Sequence, residues 1–249
     1  MSHDPRPAPA ERRGLFPSGV VMMEMDGPGD VSRLLPEEAE SVRRAVRKRV
    51  EEFAAGRACA RSALAVLGIR DFALCSAVDR QPVWPPGIVG TITHTAGFCA
   101  AAVAPGSELE GIGLDSEIVG APTTEIWSTI CREEELAWVK RLPTAEQPAA
   151  VTLLFSAKES FYKCQYPLVG EWLNFSDVTV RVDGWGKAGG TFLVDATRSI
   201  EFAALARLPI AGRYVFHGNF VSAAVSLAAA GHVSPGPRPN PLESQAIQE

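Results

Sequence analysis

The sequence predicts a mixed fold in which helices alternate with short strands, and three observations point to it. Two long stretches carry apolar residues at helical spacing. The last third reads as strands separated by glycine turns. A short strand-like phrase occurs twice.

Taken in order, residues 1–13 are rich in Pro, Arg and acid and predict an unstructured end; they do not resemble a secretion signal. Val46, Val50, Phe53, Ala54, Leu64 and Leu67 recur at helical spacing, so a helix is expected over residues 36–67, ended by Gly68. Residues 88–104 read as a strand region turning at Ala96-Gly97, and residues 111–117 as a further short strand. A charged amphipathic helix is expected over 124–141, stopped by Pro143, and a second over 149–165, ended before Pro167. Strands at 178–182 and 191–195 flank a glycine-rich turn at 185–190, and residues 213–227 turn at Gly218-Asn219. The Pro-rich segment 231–249 predicts a second unstructured end. The repeated phrase is Gly97-Phe-Cys-Ala-Ala-Ala-Val103 against Asn219-Phe-Val-Ser-Ala-Ala-Val225, each downstream of a long helix. Duplication and chance composition both account for so short a match; if duplicated, the chain would hold a cleft at the seam of its halves.

The 249 residues suffice for one large domain or two small ones with a hydrophobic core. A net charge of −5 supplies no basic field, which argues against a nucleic-acid binder. The cysteines at 59, 75, 99, 131 and 164 form no C-x-x-C pair, which argues against both zinc and a disulfide framework. The apolar run 15–25 is broken by Pro17, Ser18 and Glu24 and is too short to span a bilayer, so a cytoplasmic protein is expected.

Asp115 and Glu117 stand two apart on the expected strand, which directs both carboxylates to one face, while Gly111 and Gly113 leave space above it. Oxygen ligands so spaced suit Mg²⁺, although a solvated pair at a strand end has the same spelling. Lys158, Glu159 and Lys163 lie on the 149–165 helix. Glu159 and Lys163 share a face, as a surface ion pair would, but Phe155, Phe161, Tyr162 and Tyr166 make most of that helix apolar and favour a cleft border. Arg57 and Arg61 fall inside the apolar stripe of their helix and so need an anion, either a protein carboxylate or a ligand phosphate. The basic run Arg43, Arg44, Arg47, Lys48 and Arg49 precedes them. His94 ends a strand dense in hydroxyls, where a structural role is the alternative.

The order of these motifs carries more than any one of them. T-I-T-H-T-A-G around His94, G-I-G-L-D-S-E to Glu117 and F-S-A-K-E-S-F-Y-K to Lys163 together resemble the phosphopantetheinyl transferase superfamily. G-R-A-C-A-R-S-A-L from Gly56 and P-L-V-G-E-W-L-N-F-S-D from Pro167 are similar to its single-chain enterobactin-synthetase and mycobacterial branch, over roughly residues 43–228. The resemblance implies an α+β fold of two pseudo-twofold halves, here 14–108 and 109–230, with the cleft between them. It implies transfer of the 4′-phosphopantetheine arm of coenzyme A to a serine of an apo acyl or peptidyl carrier protein, with 3′,5′-ADP released. It further implies Mg²⁺, or Mn²⁺ in its place, on Asp115, Glu117 and Glu159. Contacts to coenzyme A are implied from Arg49, Arg57, Arg80, Thr93, His94, Asp115, Lys158 and Lys163. Glu159 and Lys163 are the implied catalytic pair, Glu159 as base. A fused pair of halves implies a monomer; neither nucleic acid nor membrane is an expected partner. A non-catalytic coenzyme A or nucleotide module, and a different Mg²⁺-dependent phosphotransferase, are the competing classes.

Overall fold

The structure, a computed structural model, describes residues 4–204 and 208–230. Its elements are β1 (Arg6–Pro7), α1 (Ala10–Arg13), β2 (Val21–Asp26), α2 (Pro36–Glu40), α3 (Arg47–Val66), β3 (Ile88–Thr95), β4 (Phe98–Pro105) and β5 (Leu109–Ile118). There follow α4 (Trp127–Ile130), α5 (Glu133–Lys140), α6 (Gln147–Val169), β6 (Val178–Asp183), β7 (Gly189–Ala196), β8 (Ile210–His217) and β9 (Phe220–Ala228).

Two antiparallel sheets result, in the orders β1-β2-β4-β3 and β5-β9-β8-β7-β6. Each is built by the same sequence of moves. A strand (β2 or β5) leads to a long helix (α3 or α6), then to a hairpin (β3-β4 or β8-β9) whose last strand pairs with the first. The repeated phrase therefore falls on equivalent strands, β4 and β9. Its small side chains are buried because each strand is central and packed on both sides. The β6-β7 hairpin is the second half's addition. This is the α+β class with the expected internal repetition.

The sheets meet where β3 runs beside β5, and no backbone ladder joins them there. Thr91, Thr93 and Thr95 occupy one face of β3 by period-two geometry. The N–H of Leu114 donates to Thr91 Oγ1 at 3.1 Å, and that of Ser116 to Thr93 Oγ1 at 2.9 Å. Ile92 and His94, on the opposite face, turn toward α3.

Four expectations are corrected. Residues 4–13, expected without structure, pair with β2 and form one helical turn. The buried Glu24 explains it, drawing in Arg12 at 2.6 and 2.7 Å and Arg6 at 3.1 Å. The 36–67 helix is two, separated by a turn at 41–46. On one continuous helix Arg44 and Arg49 would point about 140° apart; the break lets both line one cavity. The 124–141 helix is broken at Cys131-Arg132, where Glu135 accepts the Arg132 N–H at 2.7 Å and starts α5 afresh. Finally, α6 runs through Pro167 to Val169 and ends at the left-handed Gly170 (φ 68°). In the last turn proline forfeits a single backbone bond, which is not enough to stop the helix sooner. The expected unstructured segment 231–249 lies outside the described residues. No described helix is long and apolar enough to cross a membrane.

Candidate active site

The cleft is assembled from β5 and α6, and two glycines set their distance. A Cβ on Gly113 would lie 1.8 Å from the Ser160 carbonyl oxygen, and one on Gly111 2.9 Å from that of Cys164. Only bare backbone lets the helix come this close. Ile112 and Leu114 point into the core on the far side, so Asp115 and Glu117 face α6, where Glu159 and Lys163 lie one turn apart.

Lys163 settles the ambiguity of its helix. Its Nζ donates to Asp115 Oδ1 at 2.7 Å and to the Leu114 carbonyl at 3.2 Å, across the cleft rather than along the helix to Glu159. Asp115 is buried, and its second oxygen, Oδ2, has no hydrogen-bond partner. Burial and the Asp115 charge push Glu117 up to about 7, against relief from Lys163 and from the Thr95 hydroxyl at 3.3 Å. The same two causes raise Glu159. Three carboxylates thus share the space of one ammonium, and an acceptor at their centre is orphaned. An all-oxygen, over-acidic set of this kind fits a hard divalent cation. It is not preassembled: among the described residues no three His, Cys, Asp or Glu side chains are gathered closely enough to hold an ion as they stand.

From this cluster contacts lead to a basic cavity. His94 Nε2 accepts from Arg49 Nη1 at 2.6 Å, and burial together with that guanidinium holds the imidazole below its ordinary range. Arg49, Arg44, Arg57 and Arg80 line one cavity of about 500 Å³. Arg80 reaches it from a turn in which it takes the left-handed conformation (φ 72°). Arg57 is buried with its guanidinium 3.8 Å from the Phe53 ring centroid. It donates to the Leu74 carbonyl and the Ser76 hydroxyl, both at 2.8 Å, and burial lowers its pKa to about 10. The two stripe arginines part company here. Arg61 takes the buried carboxylate of Glu38, whereas among the described residues Arg57 forms no ion pair. On the other side, Glu159 borders a second cavity of about 500 Å³ walled by Phe161, Tyr162, Trp172, Leu173 and Phe175.

Two expected coenzyme A contacts have their polar groups engaged inside the protein. Thr93 is buried and accepts the Ser116 N–H at the seam. Lys158 is 2% exposed, and its ammonium is consumed by Glu135 Oε2 at 2.7 Å and the carbonyls of Ile130 and Phe175, each at 2.9 Å. Sequence reasoning did not assign Arg44, although it stands in the basic run, nor the aromatic wall at Trp172 and Phe175. The signal for that wall was the aromatic pair within W-L-N-F, which begins three residues past the helix.

Comparison with known proteins agrees with this arrangement along both halves. Residues 37–104 match the 4′-phosphopantetheinyl transferase N-terminal domain, and residues 111–216 match the 4′-phosphopantetheinyl transferase superfamily domain. The 4′-phosphopantetheinyl transferase Npt of Nocardia iowensis is 33% identical over 223 residues, which is 86% of this chain and 98% of that one. The transferase Svp of Streptomyces mobaraensis is 41% identical over 174 residues, 68% of this chain and 70% of its own. PptT of Mycobacterium tuberculosis is 36% identical over 171 residues, 66% and 74% of the two chains. With both halves matched and a relative covered almost end to end, the chain belongs to the 4′-phosphopantetheinyl transferase superfamily.

Proposed function

We infer that the chain transfers the 4′-phosphopantetheine group of coenzyme A to a serine of an apo carrier protein, using the cleft between its halves. The observation that carries the reading is the succession of sites along the cleft: a four-arginine cavity, then carboxylates with one lysine, then an apolar cavity. Coenzyme A has the matching order: a 3′-phosphorylated nucleotide, a pyrophosphate and an uncharged arm.

In this reading Arg49, Arg57 and Arg80, with Arg44, bind the 3′-phosphate end. Arg57 suits the role because its charge is buried and, among the described residues, forms no ion pair, so a phosphate would complete it. The wall of Tyr162, Trp172 and Phe175 holds the arm. The family uses coenzyme A and generally Mg²⁺; Asp115, Glu117 and Glu159 would hold that ion, which when bound offsets the charge of the pyrophosphate. Mn²⁺ meets the same oxygen donors.

The serine oxygen attacks the β-phosphorus, the new P–O bond forms, and the bond to the oxygen bridging toward the α-phosphate breaks. That oxygen leaves as part of 3′,5′-ADP. The serine proton goes to Glu159, which borders both the carboxylate cluster and the arm cavity. Lys163 supplies a fixed positive charge beside Asp115, where negative charge develops on the leaving phosphate. His94 stays neutral against Arg49 and keeps that guanidinium turned to the cavity.

The test is intact-mass spectrometry of several apo carrier proteins incubated with coenzyme A, Mg²⁺ and this protein. A gain of one phosphopantetheinyl group on the acceptor serine is expected. No gain on any acyl or peptidyl carrier refutes the reading, and a requirement for ATP in place of coenzyme A would indicate the other phosphotransferase class.

A further inference from the structure

Lys158 adjoins Glu159 in sequence and lines the apolar cavity with it, but its ammonium turns away from the carboxylate cluster. With its ion-pair partner Glu135 it is nearly solvent-free, at 1% and 2% side-chain exposure. All three ammonium hydrogens are used: one on Glu135 and one each on the carbonyls of Ile130 and Phe175. Glu135 is equally occupied. Its Oε1 accepts the Val180 N–H at 2.7 Å, and its Oε2 accepts the Arg132 N–H as well as Lys158. One buried pair therefore ties α6 to the end of α4, the start of α5, the turn at Phe175–Asp177 and the start of β6.

Those segments are also the far wall of the apolar cavity. Thr129, one residue before Ile130, lines it, as do Phe175, Ser176 and Val178. Glu159 and Tyr162 form the near wall on α6. The Lys158 bridge thus spans the two walls of the cavity.

We propose that Lys158 is a positioning residue for the phosphopantetheine arm: its ammonium is spent on the bridge, and with Glu135 it holds the arm cavity at the width that brings the arm beside Glu159. This rests on the transferase reading above, which assigns the arm to that cavity. The Lys158 bridge lies apart from the arginine cavity, whose lining comes from the first half. The two ends of the donor should therefore respond differently to its loss.

The experiment compares coenzyme A with 3′,5′-ADP, which lacks the arm, by calorimetric titration in the presence of Mg²⁺. The proteins are wild type, Lys158→Met, Glu135→Gln and the double variant. Each variant should bind coenzyme A about ten- to a hundredfold more weakly, as a displaced binding wall does, yet hold 3′,5′-ADP within about twofold of wild type, as a distant site does. The double variant leaves no lone buried charge and decides the matter if a single variant fails to fold. If Lys158 touched a donor phosphate, Lys158→Met would weaken both ligands and Glu135→Gln neither, which overturns the proposal. Folded variants that bind coenzyme A as wild type does overturn it as well. Wild-type protein that binds neither ligand would instead refute the transferase reading itself.

Discussion

Gly113→Ala offers a direct test of how the cleft is held. The added Cβ would stand 1.8 Å from the Ser160 carbonyl oxygen and 2.8 Å from the Cys164 nitrogen. Both are helix backbone, so no side chain can swing aside. Because such contacts are essentially never shorter than 3.0 Å, β5 and α6 must separate by roughly the difference, about 1.2 Å (3.0 less 1.8). Overpacking of this kind costs about 1–3 kcal/mol, which for a chain this size lowers Tm by about 2–12 °C. The functional loss should be larger than the stability loss suggests. Asp115 and Lys163 sit on the two elements being parted and touch at 2.7 Å; a 1 Å misplacement of reacting groups costs on the order of a hundredfold in rate. Turnover on a carrier protein and thermal unfolding should be measured on the same preparation. A variant with wild-type turnover would show that the close approach of β5 to α6 does not set the catalytic geometry. Unchanged turnover and unchanged Tm together would refute the packing argument outright.

Three further outcomes are expected. Glu117 has its pKa raised in the folded protein, from 4.5 to about 7, so the stability linked to its proton is present below 4.5 and lost as pH rises through 7. Glu117→Gln, measured without metal, should therefore stabilise the fold at about pH 8 by about 1–2 kcal/mol once solvent screening is allowed for, seen as a higher Tm, but not near pH 4.5; equal shifts at both pH values would contradict it. Arg57→Ala should raise KM for coenzyme A far more than KM for the carrier, and less so with a donor lacking the 3′-phosphate; equal losses with both donors would make its bonds to Leu74 and Ser76 its whole role. Arg12→Ala should destabilise by about 2–4 kcal/mol, because Glu24 is fully buried and keeps only the longer contact to Arg6; thermal unfolding within about a degree of wild type would show that the N-terminal segment is not held by that charge.

What could be read from the sequence was local. The two-residue spacing of Asp115 and Glu117 fixed their shared face, and helical counting put Arg57 and Arg61 on the buried stripe. Which anion each arginine takes was not legible, because Glu38 lies 23 residues before Arg61 and its burial follows from tertiary packing. Lys158 shows the limit most clearly. Its acceptors come from residues 130, 135 and 175, and no window around K-E contains them. The N-terminal segment was misread for a related reason: Pro, Arg and acid in a short stretch have the composition of a disordered tail. Only the buried carboxylate of Glu24 reveals what the arginines are for.

The threonine seam has a consequence for how the chain avoids other chains. Strands β3 and β5 are each the last of their sheet, and a bare last strand invites pairing with a neighbour. Here the two margins shield one another: Thr91 and Thr93 occupy the Leu114 and Ser116 N–H groups, which would otherwise be open to a foreign strand. Either half expressed alone would lose that shield along its whole inner margin. Such a fragment would seek a substitute strand, in a second copy of itself or in an aggregate, so covalent linkage of the halves protects solubility as well as building the cleft.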